Sequence, residues 1–387
     1  MFREVHMRRL MVAAMLVCAT AATGAAQKKP FELNTQTPEG ALLSDAIHTD
    51  DEAKKTLLFE EFLQKYPKHD GVPLAGTQLQ TIYLKNGNLD KTIQTAELVL
   101  AVDPALPLAA YNALQAAEQK KDYAAVQSWV LKTVDAAKKE LAMPKPANDS
   151  EAEQWTKDQD YATQVIVRCE YSLFHSAVET QDPQVKASLG DTLLSVNPSS
   201  QYVAQILPHY LFGLLQTGQG AKAAAVAEKV LEKDPANDDM MLLVADNSLS
   251  SKDYDKASTM AAKAIETLQA KKAPEGADAG AWQKAHDTKL GRAYFIAGSS
   301  AKELKKYPEA EKSFRAAVPL LQGNNEMLAP TYFFLGFLNH EMAKSAKLPA
   351  SRTMLADARK FTAACAAIAG PYQETCKKNL AGMQAGR

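Results

Sequence analysis

The sequence repeats itself with a fixed period, and this limits what the chain can fold into more than any single motif does. Four positions of one segment return in the next, where Gly218, Ala223, Ala227 and Val230 are matched by Lys252, Ala257, Ala261 and Ala264, which gives a 34-residue period. An earlier segment shows the same spacing, with Leu89, Thr92 and Ala96 matched by Tyr123, Val126 and Val130. A helix–turn–helix unit of this length, stacked on copies of itself, forms an extended interaction surface rather than a closed reaction chamber.

Glycine and proline indicate where the helices of each unit begin and end. Gly87-Asn88 interrupts one helical pattern, and Asp103-Pro104 and Asp234-Pro235 close two others. Proline has this effect because it cannot donate a backbone hydrogen bond and disfavours a helical residue before it. Between these breaks the apolar residues have helical spacing, and we find no convincing two-residue alternation typical of strands. The sequence therefore predicts an all-α chain.

These segments resemble the tetratricopeptide repeat family. The resemblance is carried by residues 87–104, 122–130, 218–235, 253–264 and 307–317, and Phe334-Leu335-Gly336 is similar to the first helix of a final unit. The tryptophan typical of the family's first helix is missing in most units, and residues 171–198 fit the pattern poorly. The resemblance implies an α-α superhelix, a right-handed solenoid of antiparallel helix pairs, over most of residues 40–370.

The resemblance also implies a binding site. In the family, the first helices of successive units line a concave groove. The corresponding residues here are Tyr111, Asn112, Gln115, His209, Phe212, Gln216, Leu242, Asp246, Arg292, Phe295, Ser299, Phe333, Phe337 and His340. The family's clamp for a peptide carboxylate is not reproduced: Asn112 fits it by type, but Thr77 and Thr81 replace the lysine and asparagine. Exposed aromatic residues make good anchors; the alternative is that Phe333 or Phe334 packs against a neighbouring helix.

Residues 1–26 have the pattern of a secretory signal. Arg3, Arg8 and Arg9 precede an apolar stretch over 10–22, and small residues allow cleavage after Ala26. Cys18 leaves open a lipoprotein alternative, although Leu16-Val17 lacks the small residue expected directly before a lipid-bearing cysteine. We expect a periplasmic or secreted protein with no later membrane-spanning segment. The predicted organisation is a signal peptide at 1–26, a flexible arm at 27–36, repeats at 37–143, a linker at 144–153, repeats at 154–370 with an insertion near 271–281, and a capping segment at 371–387.

Export changes the interpretation of the cysteines, because disulfides persist in oxidising compartments. Cys365 and Cys376 flank the turn-forming pair Gly370-Pro371, so a disulfide is plausible there, and two free thiols are the alternative. Cys169 lies in an apolar run and is interpreted as a small buried hydrophobic residue.

Composition and motifs argue against several function classes. A net charge of −1 gives no electrostatic attraction to nucleic acid. Residues 218–223 match a dinucleotide loop only superficially, since no strand precedes them. The histidines lack a second ligand at metal-binding spacing, and Cys169 and His175, six residues apart, point to different helix faces. We therefore predict no metal, no cofactor and no catalysis.

The predicted function is an exported scaffold that binds a protein or peptide through its groove. One alternative is a structural assembly factor of the cell envelope that associates with itself as a homo-oligomer. Another is an enzyme that borrows its active site from a partner chain.

Overall fold

The computed structural model describes residues 31–385, so the predicted signal peptide and residues 27–30, 386 and 387 lie outside the described part. The described residues form seventeen α-helices and contain no strand, which confirms the all-α, tetratricopeptide-like fold class. The first helices of the eight pairs are α1 (Pro38–His48), α3 (Val72–Lys85), α5 (Pro107–Gln119), α7 (Asp149–Glu179), α9 (Val203–Gln216), α11 (Asp238–Ser250), α13 (Ala279–Glu303) and α15 (Asn325–Ser345). The second helices are α2 (Glu52–Lys65), α4 (Leu89–Val102), α6 (Tyr123–Leu141), α8 (Pro183–Val196), α10 (Gly220–Lys233), α12 (Tyr254–Ala270), α14 (Tyr307–Leu320) and α16 (Ala350–Ala367), and α17 (Gln373–Ala385) follows them.

The chain divides into two compact units, Met1–Tyr210 and Leu211–Arg387. In the first unit each helix from α1 to α8 packs against the next, and the first helices α3, α5 and α7 also contact one another in turn. In the second unit the helices from α10 to α17 pack in the same sequential way, and α11 contacts α13. Among the described helices none is long and apolar enough to cross a membrane.

The turn inside a helix pair has one backbone conformation that recurs. Its central residue has a positive φ in five pairs, at Gly87, Lys121, Gly218, Lys252 and Lys305. The next residue donates its N–H to a carbonyl five positions back, as Asn88 does to Tyr83 at 2.8 Å and Asp253 does to Ser248 at 2.8 Å. This bond satisfies a carbonyl that the end of the helix would leave unpaired. The period of the sequence is therefore visible as a repeated helix-ending motif.

The core of the first unit consists of aromatic and leucine residues on α1 to α4, followed by a larger cluster from α4 to α9. Phe59, Phe62 and Leu79 are buried in the former, and Leu173 and Leu193 in the latter. Helices approach each other closely where a small residue faces the neighbour. On α8, a Cβ added to Gly190 would lie 2.3 Å from the ring of Tyr210 on α9.

The second unit packs alanines of its second helices against larger residues of its first helices. Ala257, Ala261 and Ala264 are fully buried beside Leu242 and Ile296. Alanine at these positions lets the helix backbones approach closely. A disulfide joins Cys365 on α16 to Cys376 on α17, so the helix that ends the described chain is covalently held to its neighbour.

Segment boundaries differ from the predicted ones where polar residues act as helix caps. The Asn148 side chain accepts a hydrogen bond from Ser150 N at 2.9 Å and so starts α7 inside the predicted linker. Asp278 starts α13 in the same way inside the predicted insertion. The described part of the predicted flexible arm, residues 31–36, is not helical but is packed, because Phe31 and Leu33 contact the first core cluster.

Candidate partner-binding surface

Three of the predicted groove residues are buried and cannot line an open surface. Asn112 is buried, and its amide donates at 3.3 Å to Oε1 of Gln80, which lies on the neighbouring first helix. Leu242 belongs to the core cluster of the second unit. Ser299 is buried beside Gly298, where α13 approaches the Phe314 ring so closely that an added Cβ would lie 3.0 Å from it. For these three positions the prediction is wrong.

The other predicted residues keep some exposure and fall into two groups. The exposed ones are Phe212, Gln216, Arg292 and Phe337, and the half-buried ones are Tyr111, Gln115, His209, Asp246, Phe295, Phe333 and His340. Asp246 and Arg292 lie on the adjacent first helices α11 and α13 and form an ion pair. The structure thus brings these two predicted residues together.

Some of the aromatic residues predicted to line the groove pack against other side chains instead. Phe295 meets the buried Phe314 ring with 5.6 Å between centroids, and Phe333 meets Tyr372 at 5.2 Å. Phe334 stacks on Phe314 at 5.4 Å. Phe333 and Phe334 therefore pack against neighbouring side chains, which was the alternative to groove exposure, whereas Phe337 remains 42% exposed.

Exposed aromatic residues are confined to one kind of helix. Among the described residues, three such side chains are exposed, namely Tyr171, Phe212 and Phe337, and each lies on a first helix. The exposed large apolar residues of the second helices are all leucines, for example Leu57 and Leu131. Aromatic side chains bury a large area at a low cost in conformational entropy, which suits them to partner binding.

Among the described helices of the first unit, α7 carries the largest number of exposed large apolar residues. Val167, Tyr171 and Val178 are 41%, 47% and 41% exposed and lie on one side of the helix. Tyr171 stacks on His175 with 5.6 Å between ring centroids and meets Tyr202 edge-on at 5.7 Å. We call Val167, Tyr171, Phe174, His175, Val178 and Tyr202 the α7 surface.

Sequence reasoning missed the α7 surface because α7 carries apolar residues on two opposite sides. Val165, Cys169 and Leu173 are fully buried, and the exposed residues Val167 and Tyr171 lie across the helix from them. Helical periodicity reports an apolar stripe but does not tell which of two stripes meets a neighbour. The poor fit of residues 171–198 to the repeat pattern was the one available signal.

The Cys169 thiol and the His175 imidazole do not form a nucleophile–base pair beside this surface. Burial raises the pKa of the Cys169 thiol to about 12, so the thiol stays protonated at neutral pH. His175 is exposed and stacked on Tyr171, on another side of the helix from Cys169. In the described part of the chain, no group of three or more histidine, cysteine or acidic residues is placed to hold a metal ion.

The comparison with known families agrees with the helix-pair architecture. Residues 214–276 match the family model described as tetratricopeptide repeat, and they include the segment in which the recurrence is clearest. A search of curated proteins found no match. Among solved structures, one described as Naa15/Naa10 bound to HypK-THB matches at 13% identity with a TM-score of 0.32. The match covers 90% of this chain, which spans about half (51%) of the matched chain.

Proposed function

Because residues 214–276 are tetratricopeptide repeat sequence and the other helix pairs share their fold, we propose that this chain is an exported, non-catalytic scaffold. It binds a protein or peptide through the surface of its first helices. The amino-terminal charge and apolar pattern supports export. The protonated, buried Cys169 thiol supports a role without nucleophilic chemistry.

The observation that carries the proposal is the confinement of exposed aromatic residues to first helices. In the first unit the resulting anchor is Tyr171, whose ring is 47% exposed and flanked by His175 and Tyr202. Its ring contacts hold the side chain in place before a partner arrives, so little conformational entropy is lost on binding. A partner that covers Tyr171 buries an apolar surface and leaves polar groups at the rim.

Site-specific crosslinking tests this assignment. A photoreactive phenylalanine analogue at Tyr171 should crosslink to one dominant partner in the native envelope. The matched control places it at Leu131 on α6, a second helix of the same unit, where the native side chain is 46% exposed. Equal crosslinking from both positions would refute a first-helix binding surface. Crosslinks only between copies of this chain would instead favour the self-associating assembly factor.

The affinity of that partner gives a second readout. Tyr171→Ala should weaken binding by about 2 kcal/mol, roughly thirtyfold, as expected for a central aromatic anchor. Leu131→Ala should change the affinity less than twofold. Both positions are exposed, so neither change should lower the melting temperature appreciably.

A further inference from the structure

A concave feature lies in the first unit near the amino-terminal end of α7, apart from the α7 surface. It is a cleft of about 1040 Å³ between the segment at 31–32, the start of α3, the end of α4 and the start of α7. Six of its lining side chains are carboxylates, namely Glu32, Asp70, Asp103, Glu140, Glu151 and Asp158, and none of the described lysines and arginines lines it. Concave walls of one charge sign concentrate the electrostatic potential, so the cleft attracts cations.

Aromatic and apolar groups interrupt the acidic wall. The Trp155 indole is held in place because its Nε1 donates to the Met143 carbonyl at 3.0 Å. Phe31 meets His69 edge-on with 6.0 Å between ring centroids. Pro144 and Pro146 add further apolar surface. Aromatic faces attract lysine and arginine side chains and also bury alkyl groups.

We propose that this cleft binds an extended peptide segment in which lysine or arginine alternates with apolar residues. Carboxylates such as Glu151 and Asp158 would pair with the basic groups, and Trp155 and Phe31 would cover the apolar side chains between them. The volume lies at the upper end of the range for ligand pockets, which suits several residues rather than a single cation.

The same features disfavour other occupants. Nucleic acid and anionic lipid surfaces carry the same sign of charge as the wall and are repelled. In the described residues no group of three or more histidine, cysteine, aspartate or glutamate side chains is placed to hold a metal ion. This site is separate from the α7 surface and does not depend on the function proposed for that surface.

A labelled probe peptide, four lysines alternating with leucines around a central proline, tests the cleft by fluorescence anisotropy. It should bind the full chain at low salt and lose affinity as salt rises, whereas the same peptide with glutamate for lysine should not bind. Glu151→Gln with Asp158→Asn should reduce affinity at least tenfold. The matched control, Glu153→Gln with Asp160→Asn, removes the same charge from exposed positions of the same helix and should change affinity less than twofold.

Four outcomes would overturn the proposal. First, the folded wild-type chain does not bind the probe. Second, the two double variants lose affinity equally, which would mean that the attraction is unspecific. Third, the probe binds only when Lys28→Gln and Lys29→Gln are present. The residues that precede Phe31 in the sequence would then be the natural occupant of the cleft. A fourth is loss of the probe in Tyr171→Ala, which would place it on the α7 surface. Circular dichroism melts confirm that each variant is folded.

Discussion

Gln80 on α3 and Asn112 on α5 form a buried amide pair that joins two consecutive helix pairs. The Asn112 Nδ2 donates to Gln80 Oε1 at 3.3 Å, and Gln80 Nε2 donates to the carbonyls of Thr92 and Ala109 at 3.1 and 3.0 Å. Gln80 is fully buried and Asn112 is 7% exposed. Asn112 therefore stabilises the array and is not available to a ligand.

The first prediction concerns this amide pair. Gln80→Met keeps the volume but leaves the buried Asn112 amide without its acceptor, so the free energy of unfolding should fall by about 1–3 kcal/mol. Urea unfolding measures the loss, and Gln78→Met, an exposed position on the same helix, should be nearly neutral. Adding Asn112→Leu to Gln80→Met should cost less than the sum of the single changes. Strict additivity would contradict the pairing.

A second prediction concerns the recurring turn with positive φ. Gly218 and Lys252 occupy equivalent turns of consecutive repeats, with φ of 74° and 66°. A side chain at Gly218 would meet nothing within 4 Å, so Gly218→Lys should cost about 1 kcal/mol from backbone strain alone. Lys252→Gly should raise stability by less than about 1 kcal/mol. Thermal melts of the two variants should shift in opposite directions; shifts of the same sign would mean that the turns are not equivalent.

A third prediction concerns pH and the carboxylate of Asp238. Burial opposes its ionisation, but hydrogen bonds from Lys271 at 2.5 Å and Lys289 at 3.1 Å prevail and lower its pKa. A carboxylate with a lowered folded-state pKa stabilises the protein above its unfolded pKa of about 4, and this stability is lost as pH falls through the lowered value. Asp238→Asn should therefore cost about 1–2 kcal/mol at pH 7, because the lysines are partly exposed.

Urea unfolding at pH 7 and at pH 3.5 tests this dependence. The difference in the free energy of unfolding between Asp238→Asn and the wild type should be smaller at the lower pH. Asp239→Asn is the control, since its side chain is 58% exposed and pairs with the same Lys289, and it should change stability by less than about 0.5 kcal/mol. A difference that is constant with pH would assign the loss to packing instead of charge.

A fourth prediction concerns the disulfide between Cys365 and Cys376, which are 11 residues apart in the sequence. Replacing both by serine should cost about 2–3 kcal/mol by the chain-entropy relation for a loop of this length. Hydrogen exchange should rise first in α17, which contacts α16. Alkylation of a chain that starts at Gln27, unfolded in urea so that the buried Cys169 can react, should modify one thiol without reductant and three with it. Three modified thiols without reductant would contradict the bridge.

The sequence predicted helix endings better than segment boundaries. Gly87, Gly218 and Asp103-Pro104 mark turns whose conformation depends on the residues themselves, and the structure ends helices there. The sequence predicts a linker around Asn148 and an insertion around Asp278, because polar residues favour both loops and helix caps. Their role depends on whether the following residues continue as a helix, which composition does not specify.

The helical units, their period and the turns between them can be read from the sequence, because they follow from local conformational preferences. Which side of each helix is buried is set by tertiary contacts. The buried Asn112 and the exposed Tyr171 both contradict what their residue types suggest. The physical reason is that burial depends on neighbours distant in the chain, such as Gln80, 32 residues before Asn112, and local preferences carry no information about such contacts.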